Sequence, residues 1–398
     1  MKKRVLHYML FIYFFTVFCN TQAIEKKPWT FLTYMAAAND LNTYALSDLQ
    51  EMMKVGSTPF MNVIVYLTIH EEGKPRQTKK LYVEKDKLTQ IGPVLDRDSG
   101  DAAVLAEALQ WACLDYPSDY IAVDLWDHGS GPLNRSYTRG KGICYDFDTG
   151  HYLTDRDCLN VFSWVSKTFR GGKKFDIVAC DACLMASLEM AYTFSSFADY
   201  FVASEEVIPG DGFQYAYLLN QFKKQSIDPL SFVKQIVSAY QQEYAGQTGY
   251  TLSAIDLNTV NLLTDNINAV AQVLLSQLKG KYATATKDVI KQCVNQKACA
   301  SFDRGVYIDV MQFYNNLFKN SMRLNLSQAV SKQFKQLLSD GMALFSKIII
   351  SQAVSVDYKR VGGISIYFAR STVEPSYYGL YWTEKNPTWL NFLESFTA

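Results

Sequence analysis

Of the four histidines in the chain, one stands where proton transfer is possible. His128 lies in Asp127-His128-Gly129-Ser130-Gly131, directly after the apolar run Tyr120–Trp126. Gly129 has no Cβ, so a reacting group can approach its backbone N–H closely. His7 belongs to a leader segment, His70 ends a strand before a Glu-Glu-Gly turn, and His151 lies in a Gly/Tyr loop. None of these three has a comparable setting. The matching nucleophile is Cys183, which follows the buried run Phe175–Cys180. The pattern predicts a helix from about Leu184 to Phe194, and the partial positive charge at a helix start favours thiolate over thiol. A thiolate with a histidine as base is an activated nucleophile. The backbone N–H groups of Gly129 and Cys183 are then candidate donors to the oxyanion of a tetrahedral intermediate.

Other chemistries compete for the same residues. Cys180-Asp181-Ala182-Cys183 is a C-x-x-C, which admits a thiol oxidoreductase. Redox motifs of this kind open a helix, whereas Cys180 still belongs to the strand. A zinc site needs three or four ligands, and the sequence offers no second C-x-x-C or H-x-x-x-H, so no metal site is assigned. Asp181, two residues before the cysteine, and Asp211, in the loop Pro209-Gly-Asp-Gly212, suit recognition of a cationic side chain. Each also reads as an ordinary turn or helix-start acid.

The elements that would position these residues are strands alternating with helices. Buried strand-like runs occur at 29–35, 62–69, 120–126, 175–180 and 199–204, with a shorter, edge-like one at 80–84. Helical patterns fall at 39–54, 101–113, 154–169 and 184–194. Crossovers of this length imply a mostly parallel sheet, whose ligands bind at the carboxyl ends of the strands. The clusters at 127–131, 181–183 and 205–212 all follow strand ends and so share one candidate rim. After Asp228-Pro229 the pattern turns helical, at about 229–244, 258–279, 307–319 and 327–350, interrupted by strand-like pieces at 251–257 and 363–368.

The 398 residues are 48% hydrophobic and 20% charged, ordinary for a globular protein with a sizeable core. Lys plus Arg equals Asp plus Glu, at 39 each, which argues against a dedicated nucleic-acid binder. The start has the form of a secretory signal: Lys2-Lys3-Arg4, an apolar run from Val5 to Cys19, then small and polar residues to Ala23. That run is too short to span a bilayer comfortably. Phe18 before Cys19 is not the small residue a lipoprotein signal needs, so we expect cleavage after Ala23 rather than a lipid anchor. Removal leaves 36 basic residues against 39 acidic, a charge of −3. Seven cysteines then remain, so at least one thiol is expected to be unpaired. The spacing of Cys293 and Cys299 is compatible with a local bridge.

Five blocks together, Asp127-His-Gly-Ser-Gly131, Lys141-Gly-Ile-Cys-Tyr-Asp146, Asp181-Ala-Cys-Leu-Met185, Ser204-Glu-Glu-Val207 with Pro209-Gly-Asp-Gly212, and Gly363-Ile-Ser-Ile-Tyr-Phe368, resemble the clostripain family of cysteine peptidases. They occur in the family's order, and the similarity runs from Trp29 to about Phe396. The resemblance implies a caspase-like α/β/α sandwich with a mostly parallel sheet, in which His128 and Cys183 match the catalytic dyad. Asp181, and less closely Asp211, match the acids that receive the P1 side chain. It also implies cleavage after Arg or Lys, and self-cleavage in the loop after the histidine strand. Some members depend on calcium, for which Asp146 and Asp148 are the local candidates. Two positions depart from the family pattern: Cys180 stands where an aromatic is common, as does Pro132.

The sequence therefore predicts a signal peptide (1–23), a caspase-like catalytic domain (24–250) and a mainly helical C-terminal region (251–398) able to add strands to the same sheet. It predicts an exported, unanchored, monomeric endopeptidase acting on peptide or protein substrates with Arg or Lys at P1, with no required cofactor, no nucleic acid partner and no stable membrane span. Arg139 and Lys141, in the 131–150 loop, are the self-cleavage candidates. A peptidase-like binding protein and, further off, an oxidoreductase using Cys180 and Cys183 are the alternatives.

Overall fold

The computed structural model describes residues 26–133 and 142–398. In chain order the first part comprises β1 (Lys27–Ala37), α1 (Asn42–Met53), β2 (Met61–Ile69), β3 (Gln77–Glu84), β4 (Lys87–Leu95), α2 (Ala102–Asp115), β5 (Ser118–Trp126), α3 (Asp155–Phe169), β6 (Phe175–Asp181), α4 (Leu188–Phe194), β7 (Ala198–Ala203), α5 (Tyr215–Asn220) and α6 (Pro229–Glu243). The remainder comprises β8 (Thr251–Asp256), α7 (Val260–Gln277), α8 (Ala283–Cys293), β9 (Ser301–Phe302), β10 (Tyr307–Asp309), α9 (Val310–Asn320), α10 (Gln328–Ile348), β11 (Ile349–Val354), β12 (Ser365–Tyr367), α11 (Tyr381–Lys385) and α12 (Pro387–Thr397).

Nine strands form one sheet in the order β11-β8-β7-β6-β5-β1-β2-β3-β4. Its centre, β7-β6-β5-β1-β2, is parallel, and antiparallel strands finish both sides. The central strands are buried along most of their length because helices cover both faces. Helices α1, α5 and α6 pack on one face through Leu49, Leu218 and Ile236. On the other face α2, α3, α4 and α7 contribute Leu105, Phe162, Met190 and Ile267, and α8, α9, α10 and α12 extend that layer. This is the α/β/α sandwich that the family resemblance implied, built on the mostly parallel sheet expected from the alternation of elements. Strands β8 and β11, from beyond residue 250, lie in the main sheet, while β9, β10 and β12 form a small sheet of their own.

The chain leaves β1 for β2 in one direction and later builds β5, β6 and β7 in the other. The order thus reverses between β1 and β5, where ligand crevices form in open α/β sheets. Met35 pairs with Trp126, and Trp126 with Asp181, so three strands end at one level. The residues just beyond these strand ends are therefore brought to one rim.

Four expectations change. The strand at 80–84 is longer and is not the edge; β4, with Gly92 and Pro93 in an exposed run, takes that place through a hairpin turning at Asp86 (φ 60°). The helix expected at 307 begins at Val310, capped by the Asp309 carboxylate, and β10 precedes it. The helix expected to reach 350 stops at Ile348, because the following β-branched residues pair with β8. The helix after Cys183 begins at Leu188 rather than Leu184. Leu184 adopts φ +67°, and residues 184–187 bond instead to the chain after β7, Leu184 N–H to Glu206 O at 3.1 Å and Ala186 N–H to Ser204 O at 2.8 Å. Ser187 then caps α4.

Candidate active site

His128 follows β5 by two residues and Cys183 follows β6 by two, and both line a pocket of about 290 Å³ with Trp126, Asp181, Ile208 and Gly212. A larger cavity of about 820 Å³ lies among residues of the C-terminal part and includes no histidine among its described lining.

The backbone around His128 is held by a buried acid. Asp127 accepts hydrogen bonds from Asn39 Nδ2 at 2.7 Å and from the Tyr145 N–H. Asn39 also donates to the carbonyls of Ala36 and Tyr145, tying the ends of β1 and β5 to the 142–153 segment. The imidazole is oriented from two sides. Its Nε2 lies 2.7 Å from Asp40 Oδ1, and its face stacks on Phe147 with centroids 5.9 Å apart and planes within 6°. Neither Asp40 nor Phe147 emerges from the sequence reading. Asp40 carried a usable signal, a polar pair directly after a buried strand; Phe147 carried none.

The thiol of Cys183 accepts a hydrogen bond from the Ile208 N–H at 3.3 Å. Burial pushes it up to about 11, against the lowering effect of that bond. With α4 starting five residues later, no helix N-terminus activates it; the expected dipole effect is absent. Burial thus favours the protonated thiol, and reaction needs a base to take its proton. Gly129 packs so closely on the Cys183 backbone that a Cβ there would lie 2.3 Å from Cys183 O. The two backbone N–H groups proposed as oxyanion donors are thus neighbours, and neither has an acceptor among the described residues.

Asp181 forms part of the pocket floor. Its Oδ2 accepts from Phe213 N–H at 2.8 Å and from Tyr215 Oη–H at 2.9 Å. Burial pushes its carboxyl up to about 6. Gly212, at φ +54°, passes so near that a Cβ would lie 2.5 Å from Asp181 Oδ2. Asp211 is exposed and is not part of the pocket lining, although Gly210 and Gly212 on either side of it are. Behind Asp181 sit two further buried acids, Asp124 on β5 and Asp48 on α1; Asp48 accepts from Trp126 Nε1 at 2.7 Å.

The remaining candidates fall elsewhere. Cys180 is fully buried within the core shared with Cys144 and Cys158, and none of the seven described cysteines is bridged. Cys180 and Cys183 thus have different surroundings, as strand alternation and the turn after Asp181 dictate. Cys293 and Cys299 are likewise unbridged; Cys293 ends α8 in the core, and the Cys299 thiol points to Asp309 O at 3.6 Å. Asp146 and Asp148, the local calcium candidates, are engaged by other partners. Asp146 bonds Arg76 at 3.0 Å and the Ser99 N–H at 3.2 Å, and Asp148 pairs with His70 at 2.7 Å. His151 pairs with Asp98 at 2.6 Å, away from the pocket. Arg139 and Lys141 lie outside the described residues, as does the leader with Cys19. Among the described residues no helix is long and apolar enough to cross a membrane.

A sequence model of the clostripain family matches residues 33–396. Clostripain of Hathewaya histolytica is 23% identical over 419 residues, covering 92% of this chain and 78% of that protein. Among solved structures, a secreted C11 cysteine protease from Bacteroides thetaiotaomicron in complex with an irreversible peptide inhibitor is 23% identical, with a TM-score of 0.63 over 89% of this chain and 98% of that one. An inactive zymogen C11 protease from Parabacteroides distasonis gives 21% and 0.61, over 91% and 99%. Sandwich and family match together define a cysteine-type endopeptidase of caspase-like fold. The chain belongs to the clostripain family.

Proposed function

We propose that the chain is an exported endopeptidase that cleaves after Arg or Lys, using His128 as base and Cys183 as nucleophile. The observation that carries this reading is a single pocket lined by a thiol, an imidazole and a buried carboxylate. If His128 donates its Nε2 proton to Asp40, Nδ1 is left free to accept the thiol proton. The thiolate attacks the scissile carbonyl, and the N–H groups of Gly129 and Cys183 stabilise the oxyanion. His128 then protonates the leaving amine, and water, deprotonated by His128, releases the acyl group. Asp181 receives the cationic P1 side chain, and a substrate without that cation leaves the acid unpaired. Asp211, exposed between two glycines that line the pocket, is the second acid proposed to meet the P1 side chain.

The leader supports export, and the Arg- and Lys-containing loop supports maturation by self-cleavage after Arg139 or Lys141, giving two pieces held together by β5 and β6 in one sheet. Cys183→Ala and His128→Ala should each reduce peptide hydrolysis by about a thousandfold or more while leaving Tm nearly unchanged. Gel analysis and N-terminal sequencing of wild type and Cys183→Ala follow maturation in the same samples. Turnover retained by Cys183→Ala refutes the mechanism, and an intact band in fully active wild type refutes maturation.

A further inference from the structure

Beneath the pocket one hydroxyl lies between two carboxyl groups, of which Asp181 borders the cavity. Tyr215 Oη lies 2.7 Å from Asp124 Oδ2 and 2.9 Å from Asp181 Oδ2. A phenol has one hydrogen, so a full hydrogen bond to one carboxyl oxygen leaves its lone pairs facing the other. The arrangement therefore favours a proton on one of the two acids. Asp124 is the enclosed one: it has no exposed surface, and its other oxygen accepts the Asp181 N–H at 3.2 Å. Asp181 borders the cavity and has the additional Phe213 N–H, which favours its charged form. Among the described residues lining the pocket the only basic side chain is His128.

We propose that Asp124 and Tyr215 are positioning residues for substrate selection: neutral Asp124 donates to Tyr215, Tyr215 donates to Asp181, and this relay presents a single carboxylate charge to a monovalent P1 cation. The proposal rests on the reading of the pocket as the P1 subsite. Burial acts in the same direction, pushing the Asp124 carboxyl well up and Asp48 up to about 9, but Asp181 only to about 6. The titratable groups around Asp181 are Asp48 from α1, Asp124 from β5, Tyr215 from α5, Tyr240 and Tyr244 from α6, and Cys183 beside it. Burial pushes the tyrosines up, so the acids set the charge beneath the pocket.

The test measures kcat and KM for a fluorogenic peptide with Arg at P1, between about pH 5 and 9, for wild type, Tyr215→Phe, Asp124→Asn and Asp181→Asn. Tyr215→Phe keeps the ring but removes the hydrogen bond to the Asp181 carboxylate. It should raise KM by about tenfold with little change in kcat, and move the acidic limb of kcat/KM to higher pH. Asp124→Asn keeps an N–H for Tyr215 and an oxygen for the Asp181 N–H. It should retain the preference for Arg over Leu, which Asp181→Asn loses. Loss of that preference in Asp124→Asn means that Asp124 is itself charged and overturns the relay, as does an unmoved KM and acidic limb in Tyr215→Phe. Tm, measured alongside, separates these effects from loss of fold. If wild type shows no preference for Arg or Lys, the P1 reading fails, and the relay with it; if wild type shows it and the variants miss their expected results, the relay alone fails.

Discussion

Asp181 and Glu189 stand eight residues apart and have nearly the same local chemistry. Each is buried, and each accepts one backbone N–H and one tyrosine hydroxyl. For Asp181 these come from Phe213 and Tyr215; for Glu189 they come from Tyr367 and Tyr377, both at 3.0 Å. Burial pushes Asp181 up to about 6 and Glu189 up to about 7. What differs is the outlook. Asp181 borders a cavity beside Cys183 and shares its tyrosine with a second acid. Glu189 is sealed between α4 and β12, and its second oxygen has no partner among the described residues. A perturbed carboxyl thus marks a candidate function only when it opens on a space that a ligand can enter.

The contrast can be broken by substitution. Asp181→Asn should reduce kcat/KM for Arg substrates by about a hundredfold relative to apolar P1 substrates, on the order of 3 kcal/mol, with little change in Tm. Comparing kcat/KM across a P1 series checks it. Glu189→Ala should do the opposite. It strands the Tyr367 N–H and the Tyr377 hydroxyl, and should cost about 2–4 kcal/mol of stability without changing P1 preference. Denaturant unfolding of each variant reads that loss. The smallest effect is expected from Glu189→Gln, which keeps the acceptor and removes the ionisable group. A carboxyl raised in the fold contributes stability below its unfolded pKa that is lost as pH rises through about 7. Glu189→Gln should therefore raise Tm by about 2–4 °C at pH 8 and by less near pH 4. An equal shift at both values would show that ionisation plays no part.

The same pair shows how much was legible in the sequence. Buried runs such as Met61–Ile69 and Tyr120–Trp126 are strands whatever surrounds them, because a parallel centre needs both faces apolar. His128 and Cys183 were legible for the same reason, as polar residues at the ends of such runs. β4 was not, since its exposed Lys-Leu-Thr-Gln pattern gains its order from pairing with β3. The start of α4 was not, because it depends on Leu184 adopting φ +67° and on bonds to a distant loop. That loop also supplies the Ile208 N–H to Cys183, a contact with no local signal. Asp211 was legible as an acid near the site; it is exposed, and its neighbours Gly210 and Gly212 line the pocket. Tyr215 arrives from α5, ninety-one residues after Asp124, and nothing in either segment announces their meeting.

The central claim, that a thiol and a base beside one charged carboxylate make an Arg/Lys-directed peptidase, is tested most directly by one substrate panel. Mature wild type is incubated with short fluorogenic peptides that differ only at P1, bearing Arg, Lys, Leu or Asp, with Cys183→Ala as the blank. The account predicts Cys183-dependent cleavage after Arg and Lys, at least about a hundredfold faster than after Leu or Asp. Faster cleavage after Leu or Asp, or cleavage that survives in Cys183→Ala, would contradict it.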